Sequence, residues 1–166
     1  MLRTLLAIVL FSLTASSAYL LNDIVDVAND RIHPEKRRRP FASGQLSLVV
    51  GWIVWPALAA LSLALALVLL PWEFAAVLTV YFAVTLTYSF WAKRKGVLDV
   101  IVLGGLYTIR LIAGGAAIAV PLTMWLITFS MLFFLSLALV KRVSELSRVR
   151  RTGATIPRPR ISGQRP

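Results

Sequence analysis

The sequence predicts an all-α fold, a multi-span bundle of about five transmembrane helices. Three observations predict it. Of 166 residues, 58% are hydrophobic, more than a water-soluble domain of this size carries. These residues gather into five runs, each long enough to cross the hydrocarbon core of a bilayer. The charges lie almost entirely between and after the runs, as they must if the runs are solvated by lipid.

The elements follow in order. Residues 2–21 form the first span. The run is unlike a secretory leader, because no small-residue cleavage site precedes a mature domain; it flows straight into an acidic helix. Residues 22–44 are polar. Residues 46–70 form the second span, with a kink expected at Pro56. Pro71-Trp72-Glu73 reads as a tight turn bearing an interfacial Trp. Residues 74–91 form the third span and end in Tyr88 and Trp91, aromatic anchors suited to the membrane surface. Lys93-Arg94-Lys95-Gly96 is a short basic loop. Residues 97–118 form the fourth span, Val120-Pro121 turns the chain, and residues 122–140 form the fifth. From Lys141 the chain is polar. The expected domain is 1–153, followed by a disordered basic tail over 154–166, rich in Pro and Arg with no apolar period. The three basic segments alternate with two nearly uncharged turns, at Pro71 and Val120, which places the basic face in the cytoplasm.

The informative stretch is Asn22 to Pro40. It holds Asp23, Asp26, Asp30 and Glu35 out of seven acidic residues, followed by Arg31 and the run Lys36-Arg37-Arg38-Arg39. At about 100° per residue, the three aspartates fall within an arc of roughly 60° on one helix, and Asn22 and His33 widen it to about 100°. Like charges so spaced repel. A cation that offsets the repulsion explains the pattern, and hard oxygen ligands suit Mg²⁺ beside a phosphate. The basic run then offers phosphate ligands. His33-Pro34 and Arg39-Pro40 mark where helix gives way to loop, since a residue before Pro avoids the helical region. A charged stretch between spans is commonly no more than solvated surface. Here the acids keep a helical register and the bases follow as a separate block, which points to a metal–phosphate site.

The fourth span carries Arg110 within Gly104-Gly105-Leu106-Tyr107-Thr108-Ile109-Arg110-Leu111-Ile112-Ala113-Gly114-Gly115. A cation inside a span faces the bundle interior and finds a partner there. Asp99 shares its helical face but lies eleven residues away, roughly 16 Å along the axis. The partner is therefore another helix, as a buried ion pair, or a bound anion. The paired glycines read as close helix packing; no strand precedes them, so a dinucleotide-binding loop is excluded. The absence of cysteine excludes disulfides and thiol chemistry, and a single histidine excludes an all-His zinc site. The net charge of +11 lies at loop edges and in the tail without interleaved aromatics, which argues against nucleic acid and for anionic lipid headgroups. A transporter would carry charges near the midplane of several spans, and only Arg110 qualifies.

The stretch Ser17-Ala18-Tyr19-Leu20-Leu21-Asn22-Asp23-Ile24-Val25-Asp26-Val27-Ala28-Asn29-Asp30, followed by His33-Pro34-Glu35-Lys36-Arg37-Arg38-Arg39-Pro40, resembles the first aspartate-rich motif of the UbiA superfamily of intramembrane prenyltransferases. The resemblance runs from residue 1 to about 155. Tyr107 to Gly115 and Lys141-Arg142-Val143-Ser144-Glu145-Leu146 resemble most the branch containing decaprenyl-phosphate phosphoribosyltransferase and related bacterial proteins. The resemblance implies an all-α bundle of roughly nine spans, of which five are expected here, so the chain reads as truncated. It implies a Mg²⁺-dependent transferase of the bacterial inner membrane, with an active face toward the cytoplasm and an isoprenoid phosphate or diphosphate as substrate. Asp23, Asp26 and Asp30 are the implied catalytic residues and, with Asn22, the implied Mg²⁺ ligands. The implied substrate-binding residues are Asn22 again, with Lys36, Arg39, Arg110, Lys141, Arg142 and Glu145. Most members ionise a prenyl diphosphate and pass the prenyl group to an acceptor. Where the family carries a second aspartate-rich motif, this chain has Lys141, Arg142 and one carboxylate, Glu145. That departure favours the branch in which a polyprenyl phosphate attacks an activated sugar diphosphate. The expected alternatives are that phosphoribosyltransferase-type reaction, or a non-catalytic membrane fragment that binds lipid phosphate alone. CDP-alcohol phosphotransferases also space aspartates along membrane helices, but their first aspartate is followed by Gly and then Ala-Arg, absent here.

Overall fold

A computed structural model of the chain describes residues 1–92 and 96–152. The expected basic loop at Lys93-Arg94-Lys95 and the tail beyond Thr152 lie outside the described residues. Five α-helices, α1 (Leu2–Ile32), α2 (Leu48–Leu69), α3 (Trp72–Phe90), α4 (Gly96–Ala117) and α5 (Met124–Thr152), account for nearly all of it, with a 3₁₀ turn at Lys36–Arg38. Among the described residues there is no strand. All five helices are long and apolar enough to cross a bilayer, and the chain is an integral membrane protein.

α1 is one uninterrupted helix of 31 residues, about 46 Å at 1.5 Å per residue. The hydrocarbon core takes only about 20 residues, so the last third of α1, which carries the acidic stripe, extends past the apolar run. It ends at Ile32, because Pro34 holds His33 in the extended conformation. α2 continues through Pro56. The turn expected at Pro71-Trp72-Glu73 is shorter than the sequence suggested. Pro71 is the N-cap and Trp72 already begins α3, with Glu73 in the first turn, where a carboxylate suits the helix dipole. α5 likewise runs twelve residues past its apolar segment, to Thr152.

The short α2–α3 and α4–α5 connections make those helices antiparallel neighbours, whereas a fifteen-residue loop joins α1 to α2. α1 packs along α2, α3 along α4, and α4 along α5, while α1 also reaches α3 and α4. Small side chains let the backbones approach at one end of the bundle. There Ala7, Leu10, Ala66, Leu70, Phe74, Leu78, Ala113 and Ala117 form a continuous buried core. Mid-span, the Thr14 and Ser62 hydroxyls lie 2.8 Å apart and Ser17 donates to the Trp55 carbonyl at 2.7 Å, so these two buried hydroxyls of α1 are satisfied by α2. Gly104 lies where an added Cβ would meet the backbone of Leu135 at 3.3 Å, which is close helix packing, whereas Gly105 faces open space. The other end of the bundle does not close on itself. It opens into a polar cavity beneath the loop that follows α1.

Candidate functional site

Three helical stripes build this cavity, of about 370 Å³. α1 contributes Ala15, Ala18, Tyr19 and Asn22; α3 contributes Tyr81, Thr85 and Tyr88; α4 contributes Leu103, Leu106, Tyr107 and Arg110. Each set follows the three- and four-residue steps that keep side chains on one helical face. Lys141 of α5 and Lys36 and Arg39 of the loop complete the wall. Four cations and four tyrosines thus surround a space whose lining, among the described residues, includes no carboxylate. Such a space suits an anion.

The loop reaches the cavity for identifiable reasons. The backbone amides of Glu35 and Lys36 approach His33 Nδ1 at 3.3 and 3.4 Å, so His33 caps the 3₁₀ turn. With three residues per turn, positions i and i+3 share a face. Lys36 and Arg39 therefore line the cavity together, while Arg37 and Arg38 are turned away and exposed. Beyond Pro40, Phe41 plunges back into the protein, 3% exposed, against Ile24 and Val27. Gly51 of α2 makes room for it: a Cβ there would sit 2.7 Å from the Phe41 ring. Arg31 Nε donates to the Ala42 carbonyl at 3.3 Å, and the Ser43 amide to the Arg39 carbonyl at 2.8 Å. Gly44, at φ +81°, supplies the left-handed residue that turns the chain toward α2.

So anchored, Arg39 lies over the acidic stripe. Its Nη1 donates to Asp23 Oδ1 at 2.8 Å and to Asp30 Oδ2 at 2.9 Å. Asp23 and Asp30 are separated by two helical turns but only about 20° around the axis, and the guanidinium closes the gap. Asp30 is buried and its charge is met there. Asp26 is turned aside by about 40–60° and makes contacts of its own. Among the described residues no three acidic or imidazole side chains cluster tightly enough to form a ready-made metal site. The donors nevertheless have the chemistry Mg²⁺ takes, hard carboxylate and amide oxygens. Two of them already converge on one cationic point, so the residues fit a divalent ion provided that Arg39 gives way.

Arg110 stands at the other boundary of the cavity. Among the described residues no carboxylate bridges it. It meets the rings of Tyr107, Tyr81 and Phe11 at 5.0, 5.9 and 6.0 Å, and donates to the Tyr81 hydroxyl at 3.4 Å. Such cation–π contacts hold a guanidinium without neutralising it. The buried ion pair considered for it is therefore not formed among these residues. Asp99 instead accepts from the Tyr88 hydroxyl at 2.7 Å. Arg110, Tyr19 and Ala15 also border a second, mostly apolar cavity of about 530 Å³, which continues between α1 and α4 past Phe11, Phe74, Ala113 and Gly114. Here the second pair of glycines divides: Gly115 is packed against Leu122, whereas a Cβ on Gly114 would meet nothing. Arg142 lies apart, in a smaller neighbouring cavity of about 280 Å³ that shares Lys36 and Lys141. The side chain of Glu145 lies outside the described residues. The tyrosines were not singled out from the sequence as site residues. Their signal was present in the polar steps Tyr81, Thr85 and Tyr88 within an otherwise apolar span.

A family model described as the UbiA prenyltransferase family matches residues 1–156. A protein of Mycobacterium tuberculosis (strain CDC 1551 / Oshkosh) named decaprenyl-phosphate phosphoribosyltransferase is 42% identical over 151 residues, covering 91% of this chain and 50% of the relative. The nodulation protein NoeC of Azorhizobium caulinodans is 41% identical over 150 residues, 90% of this chain and 48% of the relative. An uncharacterized protein of Sinorhizobium fredii, y4nM, is 41% identical over 147 residues, 89% of this chain and 28% of the relative. The chain spans about half the length, or less, of these curated relatives.

Proposed function

This chain belongs to the UbiA prenyltransferase family, and from that premise we propose that it is a membrane transferase whose substrate is a polyprenyl phosphate. The observation that carries the reading is the junction at Arg110 and Tyr19, where a cation-lined cavity meets an apolar one. An amphiphile with an anionic head and a long hydrocarbon tail fits that pair of cavities. Its phosphate lies among Lys36, Arg39, Arg110 and Lys141, and its chain follows Phe11, Phe74 and Ala113 between α1 and α4.

The names of the mycobacterial relatives support phosphoribosyl transfer as the reaction. A phosphate oxygen of the lipid attacks the anomeric carbon of an activated sugar diphosphate, the bond from that carbon to the diphosphate breaks, and diphosphate leaves. Asn22, Asp23, Asp26 and Asp30 are the residues that hold Mg²⁺. The ion, when bound, supplies positive charge to the departing diphosphate. Arg142 and Lys141, which share a cavity with Lys36 and the carboxylate of Asp99, serve the sugar phosphate. The density of Arg and Lys on the loop side supports a cytoplasmic orientation of this face, in a bacterial inner membrane.

The test uses the purified chain in nanodiscs with a series of polyprenyl phosphates, phosphoribosyl diphosphate and Mg²⁺. Diphosphate release and a lipid-linked ribose phosphate are expected, and Asp23→Asn or Asp26→Asn lowers the rate about a hundredfold or more. Transfer of the prenyl group from a prenyl diphosphate to an acceptor overturns the phosphoribosyl reading in favour of prenyl transfer. Binding of the lipid phosphate with neither product formed makes the chain a non-catalytic binder.

A further inference from the structure

Arg39 is a cation that touches both halves of the site. Its Nη1 joins Asp23 and Asp30 at 2.8 and 2.9 Å, and the same residue lines the cationic cavity beside Lys36 and Arg110. Its backbone has little freedom. The Arg39 amide donates to the Lys36 carbonyl at 2.9 Å, its carbonyl accepts from Ser43, and two residues on Phe41 is buried against α1. The side chain can therefore change partners without the loop leaving its seat. A divalent cation on Asp23 and Asp30 competes with the guanidinium that already holds one oxygen of each, since two cations at one point repel. An Arg39 released from the aspartates faces the cavity, where the other cations make it unwelcome until an anion arrives.

We infer that Arg39 is a positioning residue that makes metal and lipid-phosphate binding depend on each other. The inference rests on the reading of Asp23 and Asp30 as metal-holding residues. Metal alone binds weakly, because it must drive Arg39 from two carboxylates into a field of like charge. Lipid phosphate alone binds weakly, because Arg39 is committed to the aspartates. Together each removes the other's obstacle: the metal frees Arg39, and the phosphate receives it. By linkage the enhancement is the same seen from either ligand.

The experiment measures binding of Mn²⁺, a paramagnetic stand-in for Mg²⁺, to the purified full chain by electron paramagnetic resonance, with and without farnesyl monophosphate. In the wild type, saturating farnesyl phosphate is expected to tighten Mn²⁺ binding about tenfold. In Arg39→Gln, Mn²⁺ alone binds more tightly than to the wild type, and the effect of farnesyl phosphate falls below about twofold. Arg38→Gln, which removes the same charge from the exposed side of the turn, keeps the tenfold effect. Asp30→Asn supplies a test that survives if Arg39→Gln fails to fold: with one carboxylate neutralised, Arg39 is freer, and farnesyl phosphate without metal binds about fivefold more tightly. Coupling that persists in Arg39→Gln, weaker Mn²⁺ binding to that variant, no saturable Mn²⁺ binding to the wild type, or weaker metal-free phosphate binding to Asp30→Asn each overturns the inference. Intact coupling without phosphoribosyl transfer refutes the transfer reading alone, and transfer without coupling refutes this one.

Discussion

Replacing Phe41 with Ala should detach the loop that carries Lys36 and Arg39 while leaving the helices standing. The ring is 3% exposed and packs on Ile24 and Val27 of α1, with Leu20 and Trp55 partly around it. A buried Phe cut to Ala costs about 3–5 kcal/mol. The lower figure applies here, because the loop is a surface segment that can relax. About 3 kcal/mol corresponds to roughly a hundredfold in the equilibrium between docked and undocked loop. The remaining ties are the Arg31–Ala42 bond and the Arg39 bridges, which are partly exposed and individually weak. Hydrogen exchange read by mass spectrometry on the 36–47 segment reports the equilibrium directly. The amides of Arg39, Ser43 and Leu46 donate to the Lys36, Arg39 and Pro40 carbonyls in the docked loop and lose those partners on opening. Exchange there should accelerate about a hundredfold in Phe41→Ala and only slightly in Phe41→Leu, with the mid-span amides of α1 and α2 unchanged. An acceleration of less than about threefold, or one spread equally over α1, refutes the view that Phe41 is what seats the loop.

Two further outcomes follow from the same geometry. Lys36→Gln should weaken farnesyl phosphate binding about tenfold and Arg38→Gln by less than about twofold, because the 3₁₀ turn presents only the former to the cavity; equal losses, measured by calorimetry, would show that net charge matters and facing does not. Gly104→Leu drives a side chain into the Leu135 backbone of α5 and should cost about 1–3 kcal/mol, read as a lower melting temperature in detergent, whereas Gly105→Ala, with nothing within 4 Å of the new methyl, should stay within about 0.5 kcal/mol of wild type.

Much of the fold was legible because lipid imposes a simple rule. A segment in the hydrocarbon core must satisfy its backbone internally and show apolar side chains, so length and hydropathy alone locate the spans. The observed α2, α3 and α4 boundaries lie within a residue or two of those read from the sequence. The boundary that moved most, after Lys141, fell where polar residues continue a helix beyond its apolar run, a place that hydropathy does not sense. The acidic stripe was legible for a similar reason: helical register converts spacing into direction. The destination of Arg39 was not. The resemblance marked Arg39 as substrate-binding, but neither that resemblance nor the spacing shows that the guanidinium bridges Asp23 and Asp30. That placement is made by Phe41, which finds its seat only because Gly51, ten residues further on in another helix, leaves one open.

Sequence by itself determined that this chain is a helical membrane protein with its carboxylates on one stripe and its cations just behind, because both facts depend on periodicity and transfer from water to lipid. Tertiary structure alone decided that Asp23 and Asp30 share one guanidinium, that Arg110 is held by aromatic rings without a carboxylate partner, and that three stripes from α1, α3 and α4 enclose one cavity. Those outcomes depend on which side chains from distant segments reach the same point. Distance between segments is fixed by packing, and no local pattern encodes it.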